Sequence, residues 1–314
     1  MKKKKRDRGL TSVESQVEKI FRHTRSGSYG TRARYRDSCR AFARYVAENF
    51  RIQNLRNLSE KHVVAYIRHR QENGVAPKTV KNDLAAIRYM HDQIANPRYR
   101  IGSNEELREK YGLVLDPTPS RNGNRAWTDE EYTAMKAHAE RAGRQDVVDV
   151  LTLCRTMGLR ITEAVAVSRA QAENALRNGV YQVRGEAKNG KWREVPLSAE
   201  AREVFLRRLR DTPRGGRLFV PENRKTHEVV NELEKYLERH REQVETEEGV
   251  RLRTYMRVGE EERTHELTFN GLRYAYVQER IEQEMSRGKT FEEAAAVVTK
   301  EVGHERLDVI LTYM

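Results

Sequence analysis

The chain has 314 residues, which is enough for two domains that each bury a core. Hydrophobic residues make up 37% and charged residues 34%, a globular balance with no apolar run near the roughly 18 residues of a membrane span. The first residues are charged and no apolar segment follows them, so we expect a cytoplasmic protein rather than a secreted or membrane protein.

The positive charge lies in the first part of the chain. Residues 1–126 hold 28 Lys and Arg against 13 Asp and Glu, a net charge of +15, whereas the remainder holds 32 against 34, a net charge of −2. A basic domain that is merely soluble and binds no polyanion is the alternative. An asymmetry this large favours a polyanion partner. We therefore expect the first part to bind double-stranded DNA.

Residues 1–8 are a basic arm, and helical periodicity predicts a small bundle after it, within a domain spanning residues 1–96. One helix begins near Thr31, a second follows the capping residue Ser59 and ends by Asn73-Gly74, and a third opens at Pro77. Their apolar faces predict the core. The basic residues opposite predict the DNA contacts, which are Arg32, Arg34, Arg36, Lys78, Lys81 and Arg88.

Residues 97–126 are rich in Pro, Gly and Asn and predict an interdomain linker with room for one short helix. The second domain, 127–314, begins with a capping box of Thr128 and Glu131. Alternation predicts a β-hairpin of strands 180–183 and 192–197. Residues 146–168 predict an apolar helix, a Gly-containing turn and a second helix from Thr162. Further helices are predicted at 199–210, 225–248, 271–287 and 290–301, with a charged surface excursion at 245–263. The predicted class is mainly α, with one small antiparallel sheet (α+β).

Cysteine usage and motifs predict no cofactor. Cys39 and Cys154 lie far apart and fit no metal-ligand spacing, so we expect two buried thiols rather than a disulfide. The sequence has neither a P-loop nor a His/Cys cluster, so neither a nucleotide nor a metal is expected.

Four motifs in the second domain carry residues suited to phosphate chemistry. Taken alone, each motif has an ordinary structural explanation. An arginine would pair with a neighbouring Glu163, a hairpin lysine would face water, and a tyrosine near the chain end would pack on the core. The motifs are Gly158-Leu159-Arg160, Lys188-Asn189-Gly190-Lys191-Trp192-Arg193, Gly271-Leu272-Arg273, and Gly303-His304 with Tyr313 nine residues later.

In this order the four motifs resemble those of the tyrosine recombinases, the phage integrase family. The resemblance covers about the whole second domain and extends more loosely to residues 10–95, which resemble the helical, SAM-like core-binding domain of the family. One motif would be weak evidence, whereas four in the same order make coincidence improbable.

The resemblance implies a mechanism without metal or ATP. Arg160 and Arg273 would clamp the scissile phosphate, a task to which the fixed guanidinium fork is suited. Tyr313 would attack and form a 3′-phosphotyrosyl intermediate with a free 5′-hydroxyl. Lys188 would protonate the leaving 5′-oxygen as general acid, and His304 would hydrogen-bond the phosphate.

The sequence departs from the family pattern at two places. Asn270 stands where the family usually has histidine, and a carboxamide cannot accept the tyrosine proton at neutral pH. His265 could be recruited instead, although we expect an ordinary surface histidine there. Members of the family also generally continue beyond the tyrosine, whereas this sequence stops at Met314, so we expect either a truncated chain or protomers joined differently. Lys191 is the alternative to Lys188.

The leading hypothesis is a site-specific DNA recombinase, either the integrase of a mobile element or a resolvase. The alternatives are a DNA relaxer similar to type IB topoisomerases, and an architectural DNA-binding protein that lost catalysis through Asn270. Strand exchange between two duplexes needs four active sites, so we expect a homo-tetramer on DNA built from monomers or weak oligomers. We also expect a nucleoid-associated protein, with accessory DNA-bending proteins as further partners.

Overall fold

The structure is a computed structural model that describes residues 12–24, 29–118, 123–184, 192–256, 262–304 and 307–314. The chain divides into two compact units, residues 1–120 and 121–314. Each unit has a hydrophobic core of its own.

The N-terminal unit is a helical bundle. Pro77 opens α4 at a position where its missing N–H costs nothing, and Asn73 ends α3, as predicted. Helix α1, which periodicity did not predict, packs against α2 and buries Val13 and Val17. The helices are α1 (Ser12–His23), α2 (Tyr29–Phe50), α3 (Glu60–Glu72), α4 (Pro77–His91) and α5 (Asn104–Tyr111), with a 3₁₀ turn at Leu55–Asn57.

Part of the segment predicted as a linker packs onto the N-terminal unit. Leu107 of α5 and Leu113 are buried in the same core as α2, α3 and α4. Lys110 and Tyr111 both donate hydrogen bonds to Glu60 of α3, at 2.6 and 3.1 Å. The polar composition of this segment predicted a linker. Its two buried leucines nevertheless extend the bundle beyond residue 96.

The C-terminal unit is mostly helical, which confirms the predicted class. Strands β1 and β2 form the predicted antiparallel hairpin, with Val180 opposite Pro196 and Val183 opposite Arg193. The elements are α6 (Asp129–Arg141), α7 (Gln145–Thr156), α8 (Ile161–Val165), α9 (Arg169–Asn178), β1 (Val180–Val183), β2 (Arg193–Pro196), α10 (Ala199–Asp211), α11 (Thr226–His240), α12 (Glu247–Arg253), β3 (Thr254–Met256), β4 (Glu262–Thr264), α13 (Phe269–Ser286) and α14 (Phe291–Glu301), with 3₁₀ turns at Arg241–Gln243 and Leu307–Thr312.

The predicted helix 225–248 is shorter in the structure, and the charged stretch after it is more than a surface excursion. Helix α11 ends at His240, and β3 and β4 form a second small antiparallel sheet. Arg253 at the end of α12 is fully buried against Glu131 of α6, to which it donates two hydrogen bonds of 2.6 and 2.8 Å. This buried ion pair connects the excursion to the core, and a count of charges along the sequence did not show it.

Helix α7 is the centre of the C-terminal unit, with nearly all its residues from Val147 to Arg155 buried. Helix α13 packs against α7, and α14 packs against α13. Cys39 and Cys154 are both free and buried, as predicted. Within the described ranges, no helix has the length and apolar character needed to cross a membrane.

Candidate active site

The loop between α7 and α8 places Arg160 at the start of a helix. Gly158 has φ +58°, which glycine adopts at little cost, and a Cβ at this position would lie 2.3 Å from the ring of Tyr276. Arg160 is the N-cap of α8, and its backbone N–H donates to the carboxylate of Glu163 at 2.9 Å. The sharp turn and the capping box together fix where the Arg160 side chain leaves the backbone.

Arg273 of α13 is the buried cation of the site, with 1% of its surface exposed. Its Nη1 donates to the carbonyl of Gly158 at 2.5 Å, its Nη2 donates to the carbonyl of Val302, and its Nε donates to the hydroxyl of Tyr313 at 3.3 Å. A guanidinium carries five N–H donors, so these three bonds leave two for a ligand. Arg273 thus joins the loop before α8, the end of α14 and the final tyrosine.

Arg273 reaches the loop that carries Arg160, since it donates to the carbonyl of Gly158, two residues before Arg160. Burial lowers the pKa of Arg273. The hydroxyl of Tyr313 and the carboxylate of Glu163 raise the pKa, and the positive charge of Arg160 lowers it. The two arginines are therefore close enough to interact electrostatically.

Tyr313 is 7% exposed, and its hydroxyl has two partners. Nε2 of His304 lies 3.0 Å from it, and Nε of Arg273 lies 3.3 Å from it. The ring packs on Tyr274 with centroids 4.5 Å apart, and Gln278 donates to the Tyr313 carbonyl. The predicted pair of His304 and Tyr313 is thus in direct contact.

A buried carboxylate lies beneath this site, and the sequence suggested it only as the ion-pair partner of Arg160. Glu163 is fully buried and accepts hydrogen bonds from Arg160 at 2.8 Å and from Arg193 of β2 at 3.0 and 2.5 Å. Burial raises the pKa of Glu163, but the hydrogen bonds and charge of Arg193, with the charges of Arg160 and Arg273, outweigh it and lower the pKa to about 2. Glu163 is therefore ionised at neutral pH.

Arg193 connects Glu163 to the end of α14. Its Nε donates to the carbonyl of Glu301 at 2.8 Å. Gly303 has φ +66°, and a Cβ there would lie 2.9 Å from Cδ of Arg193. The sequence carried a signal for this role: Arg193 and Val195 alternate with outward residues in β2, so an arginine faces inward and needs a carboxylate partner.

Asn270 lies at an exposed position and shares a cavity of about 480 Å³ with Arg160. The wall also contains Thr162 of α8 and Thr268, which caps α13. Three carboxylates also line the cavity, from Glu234, Glu238 and Glu266, so the wall as a whole does not favour an anion.

The sequence also named three other candidates. Lys188 and its alternative Lys191 are outside the described residues. His265 is half-buried, and its ring stacks on that of Tyr255 with centroids 4.4 Å apart. Its ring thus packs on the second hairpin. In the portions of the chain that the structure describes, no group of three or more His, Cys, Asp and Glu residues could hold a metal ion.

Some of the predicted DNA contacts have partners inside the N-terminal unit, and Arg36 pairs with its neighbour Asp37 at 3.7 Å. Arg88 donates to the Gly102 carbonyl at 2.8 and 3.2 Å and to Asn104 at 2.8 Å, and Lys81 donates to the Thr118 hydroxyl at 3.1 Å. The others lie at exposed or half-exposed positions on α2 and α4, and they are Arg32, Arg34, Arg36 and Lys78. DNA contact by any of the six stays a prediction.

Comparisons with known proteins agree with this architecture. Residues 11–97 match the sequence profile described as "Phage integrase, N-terminal". A search of curated proteins found no significant match. The integrase of transposon Tn1549 in complex with its right-end DNA superposes with a TM-score of 0.55 at 14% identity, over 96% of this chain and 94% of that one.

The XerH site-specific recombinase bound to its difH substrate gives the same TM-score of 0.55, at 16% identity, over 96% of this chain and 80% of that one. At these identities the likeness establishes the fold. Residues 11–97 therefore resemble the N-terminal domain of phage integrases, and the chain shares its fold with these two recombinases.

Proposed function

We propose that this chain is a site-specific DNA recombinase that cuts and rejoins DNA through Tyr313. The observation that carries the proposal is the contact of one phenolic oxygen with both His304, at 3.0 Å, and the buried Arg273, at 3.3 Å. A phenol that is only part of a core has no need of a buried guanidinium. A phenol that attacks a phosphodiester needs a cation beside it to neutralise developing charge.

The proposed reaction begins with binding of the scissile phosphate beside Arg160 and Arg273. The phenolic oxygen of Tyr313 loses its proton and forms a bond to phosphorus, and the bond from phosphorus to the 5′-oxygen breaks. Lys188 supplies a proton to that oxygen. The product is a 3′-phosphotyrosyl bond and a free 5′-hydroxyl. Because the phosphotyrosyl bond is again an ester, the 5′-hydroxyl of a second strand can reverse the step.

The two arginines differ in burial and in contacts, which suggests that they have different roles. Arg273 is buried and fixed by two backbone carbonyls, whereas the Arg160 side chain is 25% exposed and borders the cavity. Arg160 would therefore engage the phosphate as DNA arrives, and Arg273 would hold the phenol and the same phosphate in line. Each contact is expected to stabilise the transition state by about 3 kcal/mol.

DNA is the proposed partner, held by the N-terminal unit through its basic surface. The Tn1549 integrase and XerH structures contain DNA, and the charge asymmetry of this chain supports the same partner. Exchange between two duplexes requires a homo-tetramer on DNA.

The test is to trap the covalent adduct. A library of duplexes carrying a nick near a randomised segment is incubated with the protein. Strands linked to protein are then recovered under denaturing conditions and sequenced. We expect an adduct on a defined sequence that disappears in Tyr313→Phe. The matched control is Tyr274→Phe, because Tyr274 packs on the same ring and its loss should leave the adduct in place.

The alternatives give different results in the same assay. Tight DNA binding without any adduct would support the architectural hypothesis that Asn270 suggests. An adduct that relaxes one supercoiled circle without joining two duplexes would support the topoisomerase-like alternative. Strand transfer between two duplexes carrying the recovered sequence supports recombination.

A further inference from the structure

The site lacks the histidine that usually stands where this chain has Asn270, so another group must take the phenolic proton. Among the residues that the structure describes, the hydroxyl of Tyr313 has side-chain contacts with Arg273 and His304. A guanidinium is always protonated and has no lone pair to offer. The imidazole of His304 has one, and its Nε2 lies 3.0 Å from the phenolic oxygen.

The backbone around His304 holds this contact in place. The His304 N–H donates to the carbonyl of Thr299 at 3.0 Å, and the preceding Gly303 turns the chain at φ +66° against the Arg193 side chain. The Tyr313 N–H donates to the carbonyl of Ile310 at 2.9 Å. The backbone is thus hydrogen-bonded at both reacting residues.

We infer that His304 is the general base that removes the proton of Tyr313, an inference that rests on the proposed function. In the cleavage step the proton moves from the phenolic oxygen to Nε2 of His304, which must carry its own proton on Nδ1. The phenolic oxygen then bonds to phosphorus while Arg273 continues to donate to it. In the reverse step the imidazolium returns the proton as the phenol leaves, so no proton is gained or lost over one cycle of cleavage and joining.

This role differs from a phosphate contact, in which His304 would donate a hydrogen bond and keep its proton. The titratable and charged groups around the ring and the adjoining turn come from several elements. Among the residues with described side chains, they include Arg193 of β2, Arg273 and Tyr274 of α13, Glu301 of α14 and the phenol of Tyr313.

The test uses single-turnover cleavage of the nicked duplex recovered in the trapping experiment, with the full chain. His304→Ala should cleave about 10²- to 10⁴-fold more slowly, the usual contribution of a general base. His304→Gln should be equally slow, because a carboxamide keeps a hydrogen bond but accepts no proton. Free imidazole should raise the cleavage rate of His304→Ala at least tenfold. This increase should be proportional to the concentration of uncharged imidazole. DNA binding and the urea midpoint of each variant show that it is folded.

The matched control is His138→Ala. His138 is also half-buried in the C-terminal unit, and its Nδ1 lies 3.0 Å from the hydroxyl of Tyr236, but it has no place in the proposed site. Its loss should leave cleavage unchanged. The cleavage rate of the wild type should fall as the pH is lowered through the range in which histidine becomes protonated. The variants without His304 should not show this fall.

The inference fails if the wild type forms the adduct and His304→Gln cleaves within threefold of it. It also fails if imidazole rescues in proportion to its protonated form, which would show a hydrogen-bond donor to phosphate. A wild-type protein that forms no adduct on any sequence overturns the proposed function, and the inference with it.

Discussion

Replacing Glu163 by Gln should destabilise the C-terminal unit by about 3 kcal/mol at pH 7. Glu163 is fully buried and the Arg193 side chain is 5% exposed, so neither charge can turn to water. The amide of Gln has nearly the shape of the carboxylate but leaves the Arg193 guanidinium without a counter-charge. Breaking a buried ion pair by removing one partner typically costs about 3–5 kcal/mol.

The shift in the pKa of Glu163 leads to a similar loss of stability. Its pKa falls from an ordinary value of 4.5 to about 2 in the folded chain, and each unit corresponds to about 1.4 kcal/mol. Because the folded pKa is the lower one, the stabilisation of about 3 kcal/mol is present above pH 4.5 and is lost as the pH falls towards 2. At pH 3 the free energy of unfolding of the wild type should therefore exceed that of the variant by less than it does at pH 7.

Urea unfolding followed by tryptophan fluorescence measures this difference. Both tryptophans, Trp127 and Trp192, lie in the C-terminal unit, so the signal reports that unit alone. The control is Glu232→Gln, which removes the carboxylate partner of Arg224 in a surface pair exposed by 36% and 43%. That change should cost less than about 1 kcal/mol. A cost below 1 kcal/mol for Glu163→Gln, or one that stays constant between pH 7 and pH 3, would refute the reasoning.

Three further predictions follow from the site and the charge distribution. Arg160→Ala should slow adduct formation by about 10²- to 10³-fold in the trapping assay and change DNA affinity by less than threefold, since Arg160 acts on the phosphate; equal loss of both would indicate a structural role. Gly158→Ala should cost at least about 2 kcal/mol more in urea unfolding than Gly143→Ala, because both have positive φ (+58° and +67°) but only the first Cβ meets another residue, Tyr276. The logarithm of the DNA association constant should fall against the logarithm of salt concentration with a slope of about −5, as six phosphate contacts require; a flat response would contradict the DNA-binding proposal.

The sequence predicted those parts of the fold that depend on near neighbours. The capping box of Thr128 and Glu131 is present, with the Glu131 N–H donating to the Thr128 hydroxyl at 3.2 Å. The helix that opens at Pro77 was likewise predicted at its residue, since proline fixes the backbone by itself. The hairpin of β1 and β2 followed from alternation over a few residues. Each of these features is set within about four residues or across one turn.

The partners of the buried charges could not be predicted, because they are far apart in sequence. Glu131 also pairs with Arg253, 122 residues later, and Glu163 pairs with Arg193, 30 residues later. The alternation in β2 indicated only that Arg193 faces inward. Which carboxylate it meets depends on where the loop before α8 packs, and that is a property of the whole unit.

A comparison of variants in the two buried ion pairs distinguishes an effect on the stability of the C-terminal unit from an effect on cleavage. Glu131→Gln should cost about 3–5 kcal/mol, like Glu163→Gln, because the fully buried Arg253 would keep only its longer contact with Glu245, at 3.4 Å. Glu163, however, also accepts a 2.8 Å hydrogen bond from Arg160, whereas the described contacts of Glu131 join α6 to the segment 245–264. At a temperature where both variants are folded, only Glu163→Gln should slow adduct formation, by at least tenfold. If both variants slow it equally, Glu163 acts on cleavage through stability alone, and its contact with Arg160 has no part in the reaction.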